Sequence, residues 1–576
     1  MRILLILLTS LTLSGVTAQP GDADKNFEGF KERFMDAYWK QYPAYSIYVG
    51  YGKYYEDLAI PGERYFRSCV AFSNAWLDSL KKFNYEKLTA NNKISHDILK
   101  NQLRADIWGI DVFKIQQWDP SIYNLGNECY MLLTEPYASL DTRLKTLSRR
   151  LQFADVYYEG ALNMLLRPTR EHARLSIQQN EGALEIFNAM LPDSIKSSRL
   201  NASEKDTLQQ RIKLTVDAIK DYVAALKKIS ADSNYAFRSF RIGKELFNQK
   251  FKNDIVSDYT ADEIFKKANE AKKYYHREMY QFANKLWTKY CGNAAKPSDS
   301  LLLIKAVIDS ISLNHVSPKD FFDTLNKQVK DLKRFVVQKD LFDFDTSATL
   351  IVRKMPAFAG GVSTASANFP LPYQKSSVPY YNVADLTVIP TAKAESRLRE
   401  YNNYILQILT IHEAVPGHCM QGIYNSKSTD IIKAVFGNGA MSEGWAVYCQ
   451  RMMIENGWGD NSPEIWLMFY KWSLRECCNV IVDYGIHCLD YSKENIVKLL
   501  KYEAFQQDDE VDGKYNRATL SQVQLCSYFT GATEIFALRE AYRAKAGTKY
   551  SLKDFHEKFL SFGTAPVKFI GQLMLK

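Results

Sequence analysis

Histidine is scarce in this chain, with eight among 576 residues. None of the nine cysteines forms a Cys-x-x-Cys pair, which excludes a zinc ribbon. Beyond the N-terminus no stretch is apolar for long enough to span a bilayer. No linker rich in Pro, Gly and Ser divides the chain. No residue pattern recurs at a fixed length, which excludes a solenoid array. Charge of one sign is nowhere gathered: the formal net charge of +9 is spread along the chain. The pair Lys272-Lys273 is short and is followed by Tyr274 and Tyr275, as on a solvated face. Aromatic residues are scattered, and nothing matches a nucleic-acid module, so no nucleic-acid partner is expected. The mild excess of positive charge favours anionic peptide ends as ligands.

What is present begins with an export signal. Arg2 precedes an apolar run from Ile3 to Leu8, extended by Leu11, Leu13 and Val16, and Val16-Thr17-Ala18 is a small-residue cleavage site. Residues 1–18 therefore read as a secretory signal peptide, with a mature chain starting at Gln19. No cysteine stands at the cleavage point, so a lipid anchor is not expected there. The competing reading, an uncleaved anchor, requires a longer run unbroken by Thr and Ser. A secreted or periplasmic product is expected, without stable membrane insertion once the signal is removed. The chain is long enough to need no disulfides for its core. Most cysteines then read as small buried apolar residues. Cys419 and Cys449 are one conceivable pair, although connectivity cannot be read from sequence. Asn201-Ala202-Ser203 is a glycosylation sequon, relevant only in a eukaryotic secretory pathway.

Apolar residues recur at helical spacing through most of the chain. Helices are expected at 27–42, 63–83, 89–112, 139–166, 169–191 (closed by Pro192) and 203–230. Thr260-Ala261-Asp262-Glu263 reads as a capping box opening a helix to about 290. Another helix starts at Ser317-Pro318 and runs to about 335. The pattern changes between 340 and 395. Thr349 to Arg353 reads as a strand, 359–363 as a loop or strand edge, and Val378 to Val383 as a strand that Pro379 assigns to an edge. An edge strand there can pair with an extended substrate, with Tyr381 as its contact; otherwise it is part of a small structural sheet. Helices return at 395–424, 442–456, 463–488, 492–507, 517–546 and 551–561. The expected fold class is mostly α: a large helical unit of two lobes about a central cleft, with a small β-sheet beside the metal helix. The N-terminal lobe covers 19–340 and the catalytic lobe 341–576.

The chemistry concentrates in Ile411-His412-Glu413-Ala414-Val415-Pro416-Gly417-His418. In H-E-x-x-H zinc peptidases two histidines at i and i+4 share one helix face, and the glutamate acts on water. Here the second histidine falls at i+6, roughly 120° away on an unbroken helix. Pro416 removes the N–H that would bond to the His412 carbonyl, and Gly417 adds freedom. A bulged, widened turn would return His418 to the face of His412. The competing reading is a polar turn at a helix end with Pro-Gly as its stop. A third ligand is expected from Gly439-Ala440-Met441-Ser442-Glu443-Gly444-Trp445-Ala446-Val447-Tyr448. Ser442 reads as its N-cap and Glu443 as a first-turn residue, 25 positions after His418. Glutamate zincins use a similar gap. Taken singly, Glu443 is also what a helix dipole favours.

With these motifs the chain resembles the bacterial domain-of-unknown-function 885 family, whose hallmark is HExxPGH followed by EGWA-x-Y. Asp483-Tyr484-Gly485-Ile486-His487 is similar to its D-x-G-x-H segment, with Arg475 at a preceding arginine. Arg517, Gln524, Ser527, Tyr528 and Gly531 match its R…Q-x-x-S-Y-x-x-G region, and Phe555-His556 with Gly563 and Pro566 its closing segment. Pro43, Gly50 and Gly243-Lys244-Glu245-Leu246-Phe247 fit earlier patterns. The resemblance covers about 30 to 576 and is strongest after 400. Cys419, Gln450, Ala518, Tyr491 and Gln522 depart from the family pattern; none removes a proposed ligand, and they bear on substrate preference. The family is similar to helical zinc carboxypeptidases and oligopeptidases, which implies a peptidase by analogy of fold.

The expected site follows. His412, His418 and Glu443 hold one Zn2+ (or another divalent ion), and Glu413 is the general base. By resemblance, Tyr528 and His487 are the candidate oxyanion donors. Tyr528 alternatively reads as a core aromatic, and His487 as a hydrogen-bonded helix-end residue. Arg517 is a candidate for binding a substrate carboxylate, or an ion-pair partner of Asp508, Asp509 or Glu510. Asp483 is expected to orient Arg475 or His487. The substrate class is a peptide or small amide. The rivals are an amidase or esterase acting on a small molecule or cell-wall fragment, and a non-catalytic helical binding protein.

Overall fold

In the computed structural model the described residues are 21–343, 349–355, 365–374, 378–426 and 430–576. The signal peptide and the 359–363 loop lie outside them. Among the described residues no helix is long and apolar enough to cross a membrane.

The fold is mostly α-helical, with one three-stranded sheet. Its axis is the helix Pro463–Cys488. Ser462 caps it by accepting from the Ile465 N–H, and Pro463 fills the first position, where no N–H is needed. This helix is buried around nearly its whole circumference, the signature of a core helix rather than an amphipathic one. The helix Ala261–Cys291 packs along it. Both halves of the Thr260/Glu263 capping box form, as expected. Lys289 reaches Glu464 at 2.5 Å, and Asp262 accepts from the Tyr484 hydroxyl. One hydrophobic core therefore joins Leu303, Ile304 and Leu325 to Ile405, Leu406 and Leu474. A second core gathers residues between 47 and 226. The packing does not break at 340, where the sequence reading divides the lobes.

Several helix boundaries differ from expectation. The 139–166 segment is two helices, Leu140–Arg150 and Ala154–Met164, joined by a tight turn. Pro192 does not end a helix; it sits in the first turn of Leu191–Ser197, which an i→i+5 turn links to Arg170–Glu185. The helix expected from 317 starts at Phe321. The one expected from 492 is Lys493–Val497 followed by an i→i+5 turn, Lys498–Glu503. The one expected from 517 is Asp508–Leu520 followed by a break and then Ser527–Ala546. Arg517 thus lies near a helix end, not at a helix start.

The sheet contains β1 (Ile351–Lys354), β2 (Ala365–Asn368) and β3 (Tyr380–Val383), in the order β1-β3-β2. β1 runs parallel to β3 and β2 antiparallel to it. The segment assigned to an edge is therefore the middle strand. Pro379 lies just before it, so no ladder N–H is lost. The edges are β1 and β2. All nine cysteines are free thiols, and Cys419 and Cys449 do not pair.

Candidate metal centre

The two-residue insertion after His412 breaks the helix rather than bulging it. Asn403–Glu413 ends as the Ala414 N–H bonds to the Thr410 carbonyl. A new helix, His418–Ser426, begins four residues later. The break contains a cis Val415–Pro416 peptide bond. Gly417 donates to the Ile411 carbonyl at 3.0 Å. A Cβ there would stand 1.9 Å from the His412 carbonyl oxygen, so only glycine fits this close approach. The Trp445 indole donates to the Pro416 carbonyl at 2.9 Å and fixes the break against the helix Gly439–Glu455.

That helix is capped by Asn438, whose side chain accepts from the Met441 N–H at 2.8 Å. Ser442 is not its cap; its hydroxyl donates to Gln421 Oε1 at 2.9 Å. Glu443 falls in the second turn. Directly after it, Gly444 meets Gly531 of the helix Ser527–Ala546. A Cβ on Gly531 would lie 1.7 Å from the Ala440 carbonyl oxygen, and one on Gly444 2.3 Å from the Gly531 carbonyl carbon. The two helices touch backbone to backbone, which brings Tyr528, one turn before Gly531, towards Glu443.

The three expected ligands converge. Glu443 Oε2 lies 3.4 Å from His412 Nε2 and 3.3 Å from His418 Nε2. The ligand atoms all fall within 4.8 Å of one another. The imidazoles stand edge to face, with centroids 4.8 Å apart. Glu443 Oε2 is buried and accepts no hydrogen bond among the described residues. Ligands about 2.1 Å from a tetrahedral ion stand about 3.4 Å apart. The donor set and the orphaned oxygen therefore fit a divalent cation. Burial pushes the Glu443 carboxyl up, but the two neighbouring imidazoles, His412 and His418, outweigh it and hold the group below the usual carboxylate range. Burial likewise lowers His418, and Glu443 more than reverses this.

Beside His412 lies an inner cavity of about 90 Å³, lined also by Glu413, Trp472, Glu476, Arg517 and Tyr528 among others. Glu413, the expected base, is partly exposed there. Tyr528 stacks on His412, with centroids 6.2 Å apart and planes 15° apart. Its hydroxyl accepts from Arg517 Nη2 at 3.0 Å. Burial, then the Glu443 charge, pushes this phenol up to about 12. Tyr401, Arg475, Lys514 and Arg517 also line a polar vestibule of about 280 Å³.

Two expected site residues are placed differently. His487 is buried against Phe240 and Phe247, and its Nε2 faces the Ala518 and Ser521 carbonyls at 2.9 and 3.2 Å. Burial lowers it to about 4, so it is a neutral donor that closes the turn after Leu520. It does not line the cavity and is not available as an oxyanion donor. Asp483 accepts from the Leu525 N–H and holds the same turn. Tyr381 is wholly buried on the middle strand, its hydroxyl raised by burial and then by the Glu413 charge. With no exposed surface it cannot contact substrate as expected. Arg517 is not paired with Asp508, Asp509 or Glu510; Glu510 pairs with Arg475.

Sequence reasoning missed the residues behind the ligands. The Gln450 amide lies 2.8 Å from His412 Nδ1. Glu476, pushed up to about 8 by burial, hydrogen-bonds Gln450. A signal existed for both. Gln450 is two turns beyond Glu443 on one helix face. Trp472, Glu476, Asn479 and Asp483 form a stripe at helical spacing on the buried helix Pro463–Cys488.

These features coincide with the comparisons to known proteins. The family described as "Bacterial protein of unknown function (DUF885)" matches residues 43–574, and the chain belongs to it. One similar solved structure is that of "a putative lipoprotein of unknown function from Shewanella oneidensis". It has 42% sequence identity and a TM-score of 0.86, covering 96% of this chain and 100% of that one. Another is "the putative lipoprotein from Colwellia psychrerythraea", at 15% identity and a TM-score of 0.78, covering 96% and 98%. The latter likeness concerns the fold alone. No curated protein matches the chain.

Proposed function

We propose that this protein is an exported, zinc-dependent peptidase. The observation that carries the reading is the convergence of His412, His418 and Glu443 on one buried point, with Glu413 lining the same cavity. A divalent cation held by those three residues supplies Lewis acidity towards a carbonyl and towards water. Glu413 takes the proton of the attacking water and returns it to the leaving amine. Arg517 donates to the Tyr528 oxygen, so the phenol keeps its own proton to donate to the oxyanion. Gln450 holds the His412 ring from behind. β2 takes the substrate contact first expected of β3: Ala365 lines the cavity, and Phe369 just beyond the strand packs edge-on against His418 at 5.9 Å. An extracytoplasmic setting is supported by the N-terminal apolar segment and by the lipoprotein description of the similar Shewanella oneidensis structure.

Metal analysis of the purified protein should return one ion per chain, and chelation should abolish hydrolysis of a peptide panel. Glu413→Gln should retain the metal and lose about 10²–10⁴-fold in turnover; undiminished hydrolysis rejects the assigned base. The small inner cavity, about 90 Å³, favours one second reading: an amidase or esterase acting on a small molecule or cell-wall fragment. Small amides and esters in the same panel separate the two.

A further inference from the structure

The first turns of the helix Asp508–Leu520 carry four acids, and each meets a cation. Asp508 pairs with Lys501 at 2.6 Å, Asp509 with Lys393 and Arg397 at 3.6 and 3.4 Å, Asp512 with Lys493 at 3.1 Å, and Glu510 with Arg475. Across the vestibule, Glu400 is held by Lys471 at 2.9 Å. Two cations further along the same helix make their side-chain hydrogen bonds to neutral groups, with the Glu510 and Glu443 charges acting only at longer range. Lys514, 4% exposed, donates to Asn479 Oδ1 at 2.6 Å. Arg517 donates through Nη2 to Gln524 Oε1 at 2.6 Å and to the Tyr528 oxygen at 3.0 Å. Among the described residues neither is in an ion pair with a carboxylate.

The two residues are three apart, on one helix face, and both line the passage between vestibule and inner cavity. Of the nearby carboxylates, Glu443 lies between the two imidazoles and Glu476 is turned to the Gln450 amide. Burial, together with the Arg475 and Arg517 charges, opposes protonation of Lys514 more than the Glu510 charge favours it. Such cations are costly unless a counter-ion arrives. An anion entering the passage supplies one, and Arg517 offers the planar fork that binds carboxylate.

We propose that Lys514 and Arg517 form a carboxylate-recognition site at the passage into the inner cavity, which anchors a substrate carboxylate near the scissile bond. The inference rests on the peptidase reading and names its substrate class. The Tyr528 ring links the two sites: His412 stacks on it at 6.2 Å between centroids, and the Arg517 guanidinium lies 5.7 Å from its centroid. The preferred substrate is then a peptide that carries a carboxylate near the scissile bond, whether a free C-terminus or an acidic side chain.

The test uses the metal-loaded full chain and three peptides of otherwise equal sequence: a free acid, its C-terminal amide, and an amide ending in glutamate. The free acid, the glutamate amide or both should be cleaved with kcat/KM about 30-fold or more above the neutral amide. Which of the two is preferred identifies the source of the carboxylate. Lys514→Met should erase that preference while the neutral amide changes little; Arg517→Gln should erase it too but slow all three peptides, because Tyr528 loses its donor. Lys514→Met makes the point without touching Tyr528. Calorimetry with Glu413→Gln, metal-free and metal-loaded, should give tighter binding of the acid than of the amide, and Lys514→Met should remove the difference. Equal cleavage of all three peptides overturns the inference and leaves the peptidase reading standing. No cleavage of any, with the acid still bound selectively, overturns the peptidase reading and leaves the anion site. Equal binding of acid and amide overturns the anion site itself.

Discussion

Replacing Gly531 with alanine tests whether one backbone contact sets the geometry of the metal centre. A methyl group there would stand 1.7 Å from the Ala440 carbonyl oxygen and 2.9 Å from the Gly444 Cα. A carbon and a carbonyl oxygen rest about 3.3 Å apart or more. The helices Gly439–Glu455 and Ser527–Ala546 must therefore part by about 1.6 Å, and no rotamer change relieves the clash, because the obstacle is backbone. Overpacking of this kind costs about 3 kcal/mol, the upper end of the usual range. The displacement also exceeds the tolerance of about 0.5 Å within which a functional constellation survives. Glu443 directly precedes Gly444, so it moves relative to the two histidines. Gly513 is the control. It lies inside the helix Asp508–Leu520 with nothing near its virtual Cβ, and alanine there should stabilise by about 0.5 kcal/mol. Thermal melts of the metal-free proteins and zinc competition against a chromophoric chelator read both effects. Gly531→Ala should melt lower than the parent and bind zinc at least about 10-fold more weakly; Gly513→Ala should melt at or above it with unchanged affinity. If the two variants melt and bind alike, the helix contact does not position Glu443.

Gln450→Ala, which removes the group behind His412, should lower zinc affinity about 10–100-fold without unfolding the chain, as measured by the same competition. Trp445→Phe leaves the Pro416 carbonyl without its indole donor and should cost about 1 kcal/mol in denaturant titration; no loss would mean the break is held by other contacts. His487 tests the pH reasoning. Burial keeps it neutral, near 4 against an ordinary 6.5. As pH falls from 6.5 to 4 the unfolded chain takes up a proton that the folded chain refuses, so stability present above 6.5 is lost, by up to about 3 kcal/mol. His487→Gln should flatten that part of the profile in melts between pH 7.5 and 4, and parallel profiles would refute the assignment.

Local rules read well from the sequence wherever a residue acts on its own neighbourhood. The Thr260/Glu263 capping box and the helix start at Pro463 both depend on a few adjacent backbone groups. The same locality made the metal motif visible, since His412, Glu413 and His418 lie within one heptad. Partners across the fold were not legible. Nothing in the Val378–Val383 segment reveals whether neighbours pair with one side of it or both, and the middle position of β3 depends on β1 and β2 arriving from elsewhere. His487 reads equally as a catalytic group or a structural one until the Ala518 and Ser521 carbonyls are seen against it.

The sequence by itself determined that the chain is helical, that glycine and proline interrupt its metal helix, and which three side chains can bind a cation. Those are properties of residue type and spacing, carried by the local backbone. The tertiary structure decided that the interruption is a break, that Glu443 meets both imidazoles, and that among the described residues Lys514 and Arg517 stand outside ion-pair distance of any carboxylate. Each of these depends on distances between segments tens to hundreds of residues apart. Such distances are set by how helices such as Gly439–Glu455 and Ser527–Ala546 pack, and packing depends on shape in three dimensions rather than on order along the chain.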